Sequence, residues 1–174
     1  MAVAQLLQEH FHLFKPEQGT ILDLACGVGQ NGLYLKDNDL AVMFADVQQQ
    51  HLSNLAALPN SATTETWCAD FESESQLDAI KLSAMQLQGV IVFRYLHRPL
   101  FEHIKQAIKP GGILIYETFT ELNKQFGRPH REQFLLKTGE LKSIFKDWQE
   151  IYYFEGIKHD PDRAIAQIVC KKPV

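Results

Sequence analysis

Residues Gly27-Val28-Gly29-Gln30-Asn31-Gly32 read G-x-G-x-x-G, with Asp23 four positions before the first glycine and Asp46 nineteen after it. Glycines at this spacing let the backbone approach a ligand where side chains would intrude. A carboxylate placed like Asp46 suits the paired hydroxyls of a ribose. Asp70 adds a third acid further along. A second constellation is basic: Arg94, His97 and Arg98, then Arg128, His130 and Arg131. If both groups face one mouth, they make a cationic pocket suited to an oxyanion or a carboxylate.

Two adenosine cofactors fit the glycine turn. NAD carries a pyrophosphate, which wants a helix N-terminus with little negative charge nearby. S-adenosylmethionine (SAM) carries an ammonium and a sulfonium instead, so Asp23 beside the turn favours SAM.

These residues need elements to position them. Apolar spacing predicts an N-terminal helical segment within residues 1–18, with helix over 2–14. Strand and helix then alternate: strand 20–25, helix 30–36, strand 40–45, helix 48–58, strand 63–68, helix 74–85, strand 87–93, helix 99–108 and strand 113–118. Pro110-Gly111-Gly112 reads as a turn. Residues 119–136 are polar and irregular, a length typical of lids or disordered loops. Helix 139–145 and strands 148–154 and 164–170 close the chain. The connection 156–162 is too short for a crossover helix, so the last two strands are antiparallel. The fold class is therefore α/β: a doubly wound, mostly parallel seven-stranded sheet ending in an antiparallel hairpin. Asp23, Asp46 and Asp70 fall at or just after strand ends, where such sheets bind ligands.

Composition narrows the classes. The 174 residues suit one domain, 1–174. A net charge of -4 argues against bulk attraction to nucleic acid. No apolar run spans a bilayer, and the N-terminus does not read as a signal peptide. Cys26, Cys68 and Cys170 fit no metal motif and read as reduced thiols of a cytoplasmic protein.

The chain resembles class I SAM-dependent methyltransferases from about residue 20 to 170. The stretch Leu22-Asp23-Leu24-Ala25-Cys26-Gly27-Val28-Gly29-Gln30-Asn31-Gly32-Leu33-Tyr34-Leu35 is similar to the first motif of that class. Lys109-Pro110-Gly111-Gly112-Ile113-Leu114-Ile115 is similar to its fifth-strand turn. Within the class, Asn31 with Leu33-Tyr34-Leu35, and Leu136-Lys137-Thr138-Gly139-Glu140-Leu141 with Trp148, resemble the small tellurite-resistance-type enzymes.

The resemblance implies that Asp23 and the backbone of Ala25, Cys26, Gly27 and Gly29, with Asn31 in the following helix, hold the methionine part of SAM. It implies that Asp46 takes the ribose hydroxyls with Val47 beside the adenine. Asp70 and the Phe71 backbone would meet the adenine edge, and Phe93 with Arg94 would border the methyl group. Two positions depart from the pattern: Ala25 replaces a glycine, and Gly89 replaces an acid often found in the fourth strand.

The expected activity is in-line methyl transfer to a small anionic molecule: an oxyanion, a carboxylate or a metalloid. His97, Arg94 and Arg98 are the candidates for positioning the acceptor. His97 is either a titrating group or an orienting hydrogen bonder. Arg98 otherwise pairs with Glu102 at helical spacing. Tyr95, Glu117, Arg128, His130 and Arg131 are candidate acceptor contacts, the loop arginines being otherwise solvated. His10, His12, His51, His103 and His159 read as surface or helix residues. No metal and no nucleic-acid or membrane partner is expected. The competing functions are a nucleic-acid or protein methyltransferase, a non-catalytic SAM-binding protein and an NAD-dependent oxidoreductase.

Overall fold

The computed structural model describes residues 1–59 and 64–174. Among these, seven strands form one sheet in the order β3-β2-β1-β4-β5-β7-β6. The strands are β1 Ile21–Leu24, β2 Val42–Asp46, β3 Glu65–Cys68, β4 Leu87–Phe93, β5 Ile108–Phe119, β6 Gln149–Lys158 and β7 Arg163–Lys171. The first five pair in parallel, while β7 runs antiparallel to both β5 and β6. The helices are α1 Gln5–His10, α2 Gln30–Lys36, α3 Gln49–Ala56, α4 Leu77–Ser83, α5 Phe101–Ala107 and α6 Glu140–Ile144. This is the doubly wound sheet with a terminal hairpin that the alternation predicts. The predicted start of the third strand at Thr63 lies outside the described residues.

Alternation along the strands builds a core on each face. Leu22, Leu24, Val90, Val92, Leu114 and Tyr116 face α4, α5 and α6. Ile21, Phe44, Ile91, Ile113 and Ile115 face α1, α2 and α3. The same period sends Glu117 and Thr118, at the end of β5, to opposite faces.

Several predicted boundaries move for local reasons. Helix 2–14 ends at His10 and continues as a 3-10 turn over Phe11–Leu13. Helix 74–85 starts only at Leu77, because Ser73 and Ser75 turn the chain on their own hydroxyls. Helix 99–108 begins as a 3-10 turn, Arg98–Leu100, before α5. The turn at 110–112 does not interrupt β5. It is absorbed as a bulge, since Leu87 pairs with Ile108 and Gly89 with Ile113.

The chain reversal in sheet order falls between β1 and β4, the neighbours at which outward winding changes direction. A crevice opens there at the carboxyl ends of the strands. Gln88 in β4 secures the approach to β1. Its amide accepts from Lys15 N at 3.0 Å and donates to Lys15 O and Gly19 O. Gly89 beside it leaves room for another segment, because a Cβ there would lie 2.3 Å from the Phe14 ring and 2.6 Å from Ile113 O. The missing acid at position 89 is thus explained by packing.

Candidate active site

Asp23 ends up buried because β1 carries it under α2. Its Oδ2 accepts the Gly32 N–H at 2.9 Å. A Cβ on Gly32 would lie 2.7 Å from that oxygen and 2.4 Å from the Phe44 ring, so only glycine lets α2 come this close. Burial pushes the Asp23 carboxyl up to about 7; the Gly32 hydrogen bond opposes this and the Asp46 charge adds to it.

The turn itself is left-handed at Ala25 (φ 54°), Gly27 and Gly29. Asp46 crosses over from β2 to hold it: Oδ2 accepts Gly27 N at 2.8 Å, and Oδ1 accepts Gln48 N at 2.8 Å. His51 on α3 is more than the surface residue its sequence context suggests. Its Nδ1 is buried 3.7 Å from Asp46 Oδ1, without a hydrogen-bond partner among the described residues. Val47, next to Asp46, is 60% exposed and offers an uncovered apolar surface. Asp70 is exposed and accepts the Glu72 N–H at 3.0 Å. The Phe71 ring is buried edge-on against Trp67.

Two cavities open at the ends of β4 and β5. One, of about 460 Å³, brings together Asp23, Ala25, Cys26, Gly27, Asn31, Phe93 and Glu117. The other, of about 740 Å³, brings together Tyr95, Arg128, His130 and Arg131 with Leu96, Phe119 and Phe134. Arg94 lines both. It is a left-handed residue (φ 58°) whose N–H donates to Glu117 O at 2.9 Å. The two basic groups therefore meet in part: Arg94 joins the loop cations, while His97 and Arg98 line neither cavity.

Arg98 has a different engagement from the predicted Glu102 pair. Its guanidinium grips Glu140 at 2.6 and 2.9 Å and donates to Gln133 O and Leu135 O. Glu102 takes Lys105 instead, at 2.9 Å. The grip belongs to the foot of loop 119–136. Leu135 and Leu136 are fully buried there, and Thr120 bridges to Leu136. At the other end, buried Asn123 accepts Ala164 N at 2.9 Å and donates to Arg128 O at 3.2 Å. Both feet of the predicted lid are pinned, so any movement over the mouth belongs to its tip, 126–131.

Several residues around the smaller cavity carry no signal in the sequence pattern. Residues 1–5 cross its mouth, held by Asn31 Oδ1 accepting Ala4 N at 2.9 Å. Lys158 and Arg163 reach it from the β6–β7 turn, and Gln167 donates to Glu117. For the hairpin a clue exists: a strand antiparallel to β5 must begin at the carboxyl end of the sheet. For the N-terminal strap the apolar spacing points the wrong way: it predicts helix from residue 2, whereas the helix begins at Gln5 and Ala4 is extended.

The smaller cavity suits a ligand carrying positive charge. Among the described residues Asp23 is a buried carboxylate without a cation, and Gln30 Oε1, also on the lining, is a buried acceptor without a partner. An ammonium would satisfy both, and the Asp46–Val47 pair beside it offers a carboxylate and an apolar face for a nucleoside. Among the described residues no group of three His, Cys, Asp or Glu is placed to hold a metal ion. Cys26, Cys68 and Cys170 are free thiols. No helix among the described residues is long and apolar enough to cross a membrane.

Comparison with known proteins agrees with this geometry. Residues 6–169 match the family described as Tellurite resistance protein TehB. TehB from Haemophilus influenzae superposes with a TM-score of 0.76 at 18% identity, over 98% of this chain and 62% of that one. This chain thus spans less than two thirds of that protein. A SAM-dependent methyltransferase from Methanosarcina mazei superposes at 0.70 with 13% identity, over 100% of both chains. An S-adenosylmethionine-dependent methyltransferase from Mesorhizobium loti gives 0.69 at 14% identity, over 97% of this chain and 98% of that one. No curated protein sequence matches. With the family match running from α1 into β7 on this sheet, the chain belongs to the TehB tellurite resistance protein family and has the fold of the SAM-dependent methyltransferases.

Proposed function

We propose that this chain is a SAM-dependent methyltransferase that transfers the methyl group to a small anionic acceptor where the two cavities meet. The observation that carries the reading is Arg94. One exposed cation lines both the carboxylate-bearing cavity and the larger, basic one. In an acidic protein, such local cationic character marks the place for an anion. The family name, tellurite resistance, concerns an oxyanion and agrees with that charge.

Asp23, Gln30 and the backbone of Ala25, Cys26, Gly27 and Gly29 hold the methionine end of SAM, with Asn31 fixing the strap above it. Asp46 takes the ribose hydroxyls, and Val47, Asp70 and Phe71 frame the adenine. Phe93 and Arg94 border the methyl. SAM supplies an activated methyl on a sulfonium. The acceptor's lone pair forms the new bond to carbon as the carbon–sulfur bond breaks, and sulfur keeps that electron pair. An anionic acceptor needs no proton removed, so this chain's task is alignment and exclusion of water. Lys158 and Arg163 add positive charge on the far side of the smaller cavity. Tyr95, Arg128, His130 and Arg131 line the acceptor's side and Glu117 stands at the boundary, whereas His97, which lines neither cavity, is given no part in holding the acceptor. We assign Arg98 to holding the loop.

Thermal unfolding with SAM, S-adenosylhomocysteine and NAD added separately tests the cofactor, since a ligand that binds only the folded state raises the midpoint. A shift of several degrees is expected with the first two and none with NAD. A shift with NAD alone overturns the reading. Tight, steeply salt-dependent RNA binding would move it to a nucleic-acid acceptor.

A further inference from the structure

The larger cavity speaks to the acceptor's shape as well as its charge. Its volume is about 740 Å³. At roughly 30 Å³ per water this is space for about 25 waters. A four-atom inorganic oxyanion replaces only about three or four of them at the same scale. The remainder would stay wet beside a reaction that works best dry. The volume instead falls within the range of about 300–1,000 Å³ usual for organic ligands.

The walls agree. Leu96 is buried, and Tyr95, Phe119, Pro129 and Phe134 are half-buried around the hollow. The Tyr95 phenol is pushed up by burial and by the adjacent Glu72 carboxylate, which keeps it neutral. The charged residues of the lining are exposed, with three arginines outnumbering one carboxylate, Glu72. Arg94, Arg128 and Arg131 are exposed, and the guanidinium groups of the last two have no hydrogen bond or ion pair among the described residues. The contrast with Arg98, whose guanidinium is fully engaged by Glu140 and two carbonyls, is sharp. The hollow is also preformed on its inner side, because Arg98 pins Gln133 O and Leu135 O and so fixes Phe134 between them in the wall.

We infer that the acceptor is an organic carboxylate: an acid group held by Arg94 beside the methyl site, and an apolar body lying against Tyr95, Leu96, Phe119 and Phe134. Arg128 and Arg131 draw such an anion toward the mouth. This rests on the methyltransferase reading above. A carboxylate oxygen forms the bond to the methyl carbon, the carbon–sulfur bond breaks with its pair going to sulfur, and sulfonium and carboxylate become thioether and methyl ester. No proton and no further reactant is required.

The test offers the full chain methyl-tritiated SAM with 3-phenylpropanoate, octanoate, acetate, tellurite and selenite in turn. Volatile methanol released by base reads ester formation. The inference expects kcat/KM for the two larger acids at least tenfold above acetate. Phe134→Ala should erase most of that preference by raising KM for phenylpropanoate about tenfold, as loss of a buried aromatic contact does. Arg128→Ala with Arg131→Ala, both exposed and safe for folding, should raise KM and flatten its salt dependence. Turnover of tellurite, selenite or acetate that equals or exceeds that of the larger acids overturns the inference and leaves the methyltransferase reading standing. If neither SAM nor S-adenosylhomocysteine binds, that reading fails by itself. Calorimetry of phenylpropanoate against acetate then decides the cavity's preference, and equal binding overturns it.

Discussion

The side of this crevice that we assign to the cofactor and the side that we assign to the acceptor are built on opposite principles. On the cofactor side the functional carboxylates are buried and already tied to the main chain: Asp23 to Gly32 N, Asp46 to Gly27 N and Gln48 N. On the acceptor side Arg94, Arg128 and Arg131 are exposed, and the guanidinium groups of the two loop arginines have no hydrogen bond or ion pair among the described residues. Removing a cofactor-side acid breaks the turn as well as the contact. Removing an acceptor-side cation changes what is bound and leaves the scaffold alone. On that assignment, a fixed half for the cofactor and a loose half for the acceptor would divide the labour as rigid frame and functional loop.

The largest effect expected from this contrast is at Asp46. Asp46→Ala deletes two backbone anchors and, on the assignment proposed above, the ribose contacts, so SAM affinity should fall roughly a hundredfold or more, at about 1.5–3 kcal/mol per charged hydrogen bond. Calorimetric titration checks it. An affinity within a few-fold of the parent protein would remove Asp46 from the ribose site. The Arg128/Arg131 pair should leave SAM affinity alone.

Asp23 sharpens the contrast through pH. Its folded pKa, about 7, lies above the ordinary 3.8. The folded state therefore holds the proton more tightly, and stability is lost as pH rises from near 4 toward 7. The shift of about three units is worth a few kcal/mol at most, at about 1.4 kcal/mol per unit. Asp23→Asn should thus raise the melting point of the SAM-free protein at pH 8 and much less at pH 5. An approaching ammonium favours the ionised carboxylate, so SAM should bind more tightly at pH 8 than at pH 6, and Asp23→Asn should abolish that slope. A pH-independent affinity in the parent protein would break the assignment.

The same division explains which features are legible in the amino-acid sequence. The glycine turn, the three aspartates and the strand alternation are local patterns with fixed physical causes, so the sheet and the terminal hairpin can be read from them. The role of Arg98 cannot, since its partner Glu140 is 42 residues away and the Glu102 spacing offers a nearer false one. His51 shows the same limit: only the packing of α3 against the end of β2 sets it beside Asp46. The strap at 1–4 is misread as helix from its apolar spacing, because single contacts hold it extended: Ala4 N on Asn31 Oδ1, Met1 Sδ under Arg94, and Val3 and Ala4 against the core.

Arg98 gives a medium effect. Arg98→Ala frees two loop carbonyls and leaves Glu140 half-buried and alone, a cost of about 1–3 kcal/mol with allowance for solvent screening of this partly exposed pair. Burial pushes Glu140 up, but the Arg98 hydrogen bonds and the Lys137 N–H prevail and hold it below the usual carboxylate range. The contribution is therefore present at neutral pH and lost as pH falls through that lowered value. Glu140→Gln should therefore be less stable than the parent protein at neutral pH, with the difference shrinking as pH falls through that value, so that stability falls more steeply with acid in the parent. Protease cleavage within 119–136 should quicken in Arg98→Ala, with KM for the acceptor rising and SAM affinity unchanged. A coupled loss of SAM affinity would mean that the two halves are not independent.

The smallest effects are the most discriminating. Ala25 and Arg94 follow β1 and β4, the adjacent strands at the switch point, and both are left-handed, with φ of 54° and 58°. That conformation costs a residue with a side chain about 1–2 kcal/mol. Glycine escapes the cost but loses about 0.4–1 kcal/mol through the freer unfolded chain. Ala25→Gly and Arg94→Gly should therefore each stabilise the protein slightly, by up to about 1 kcal/mol. The two backbones are equivalent, yet the side chains are not: Ala25 contributes a methyl to the turn, whereas Arg94 carries the charge shared by both cavities. Denaturant titration should find the pair alike, while acceptor kcat/KM should fall at least tenfold further in Arg94→Gly than in Ala25→Gly. If activity fell equally in both, the strained backbone rather than the guanidinium would be what the crevice needs at that position.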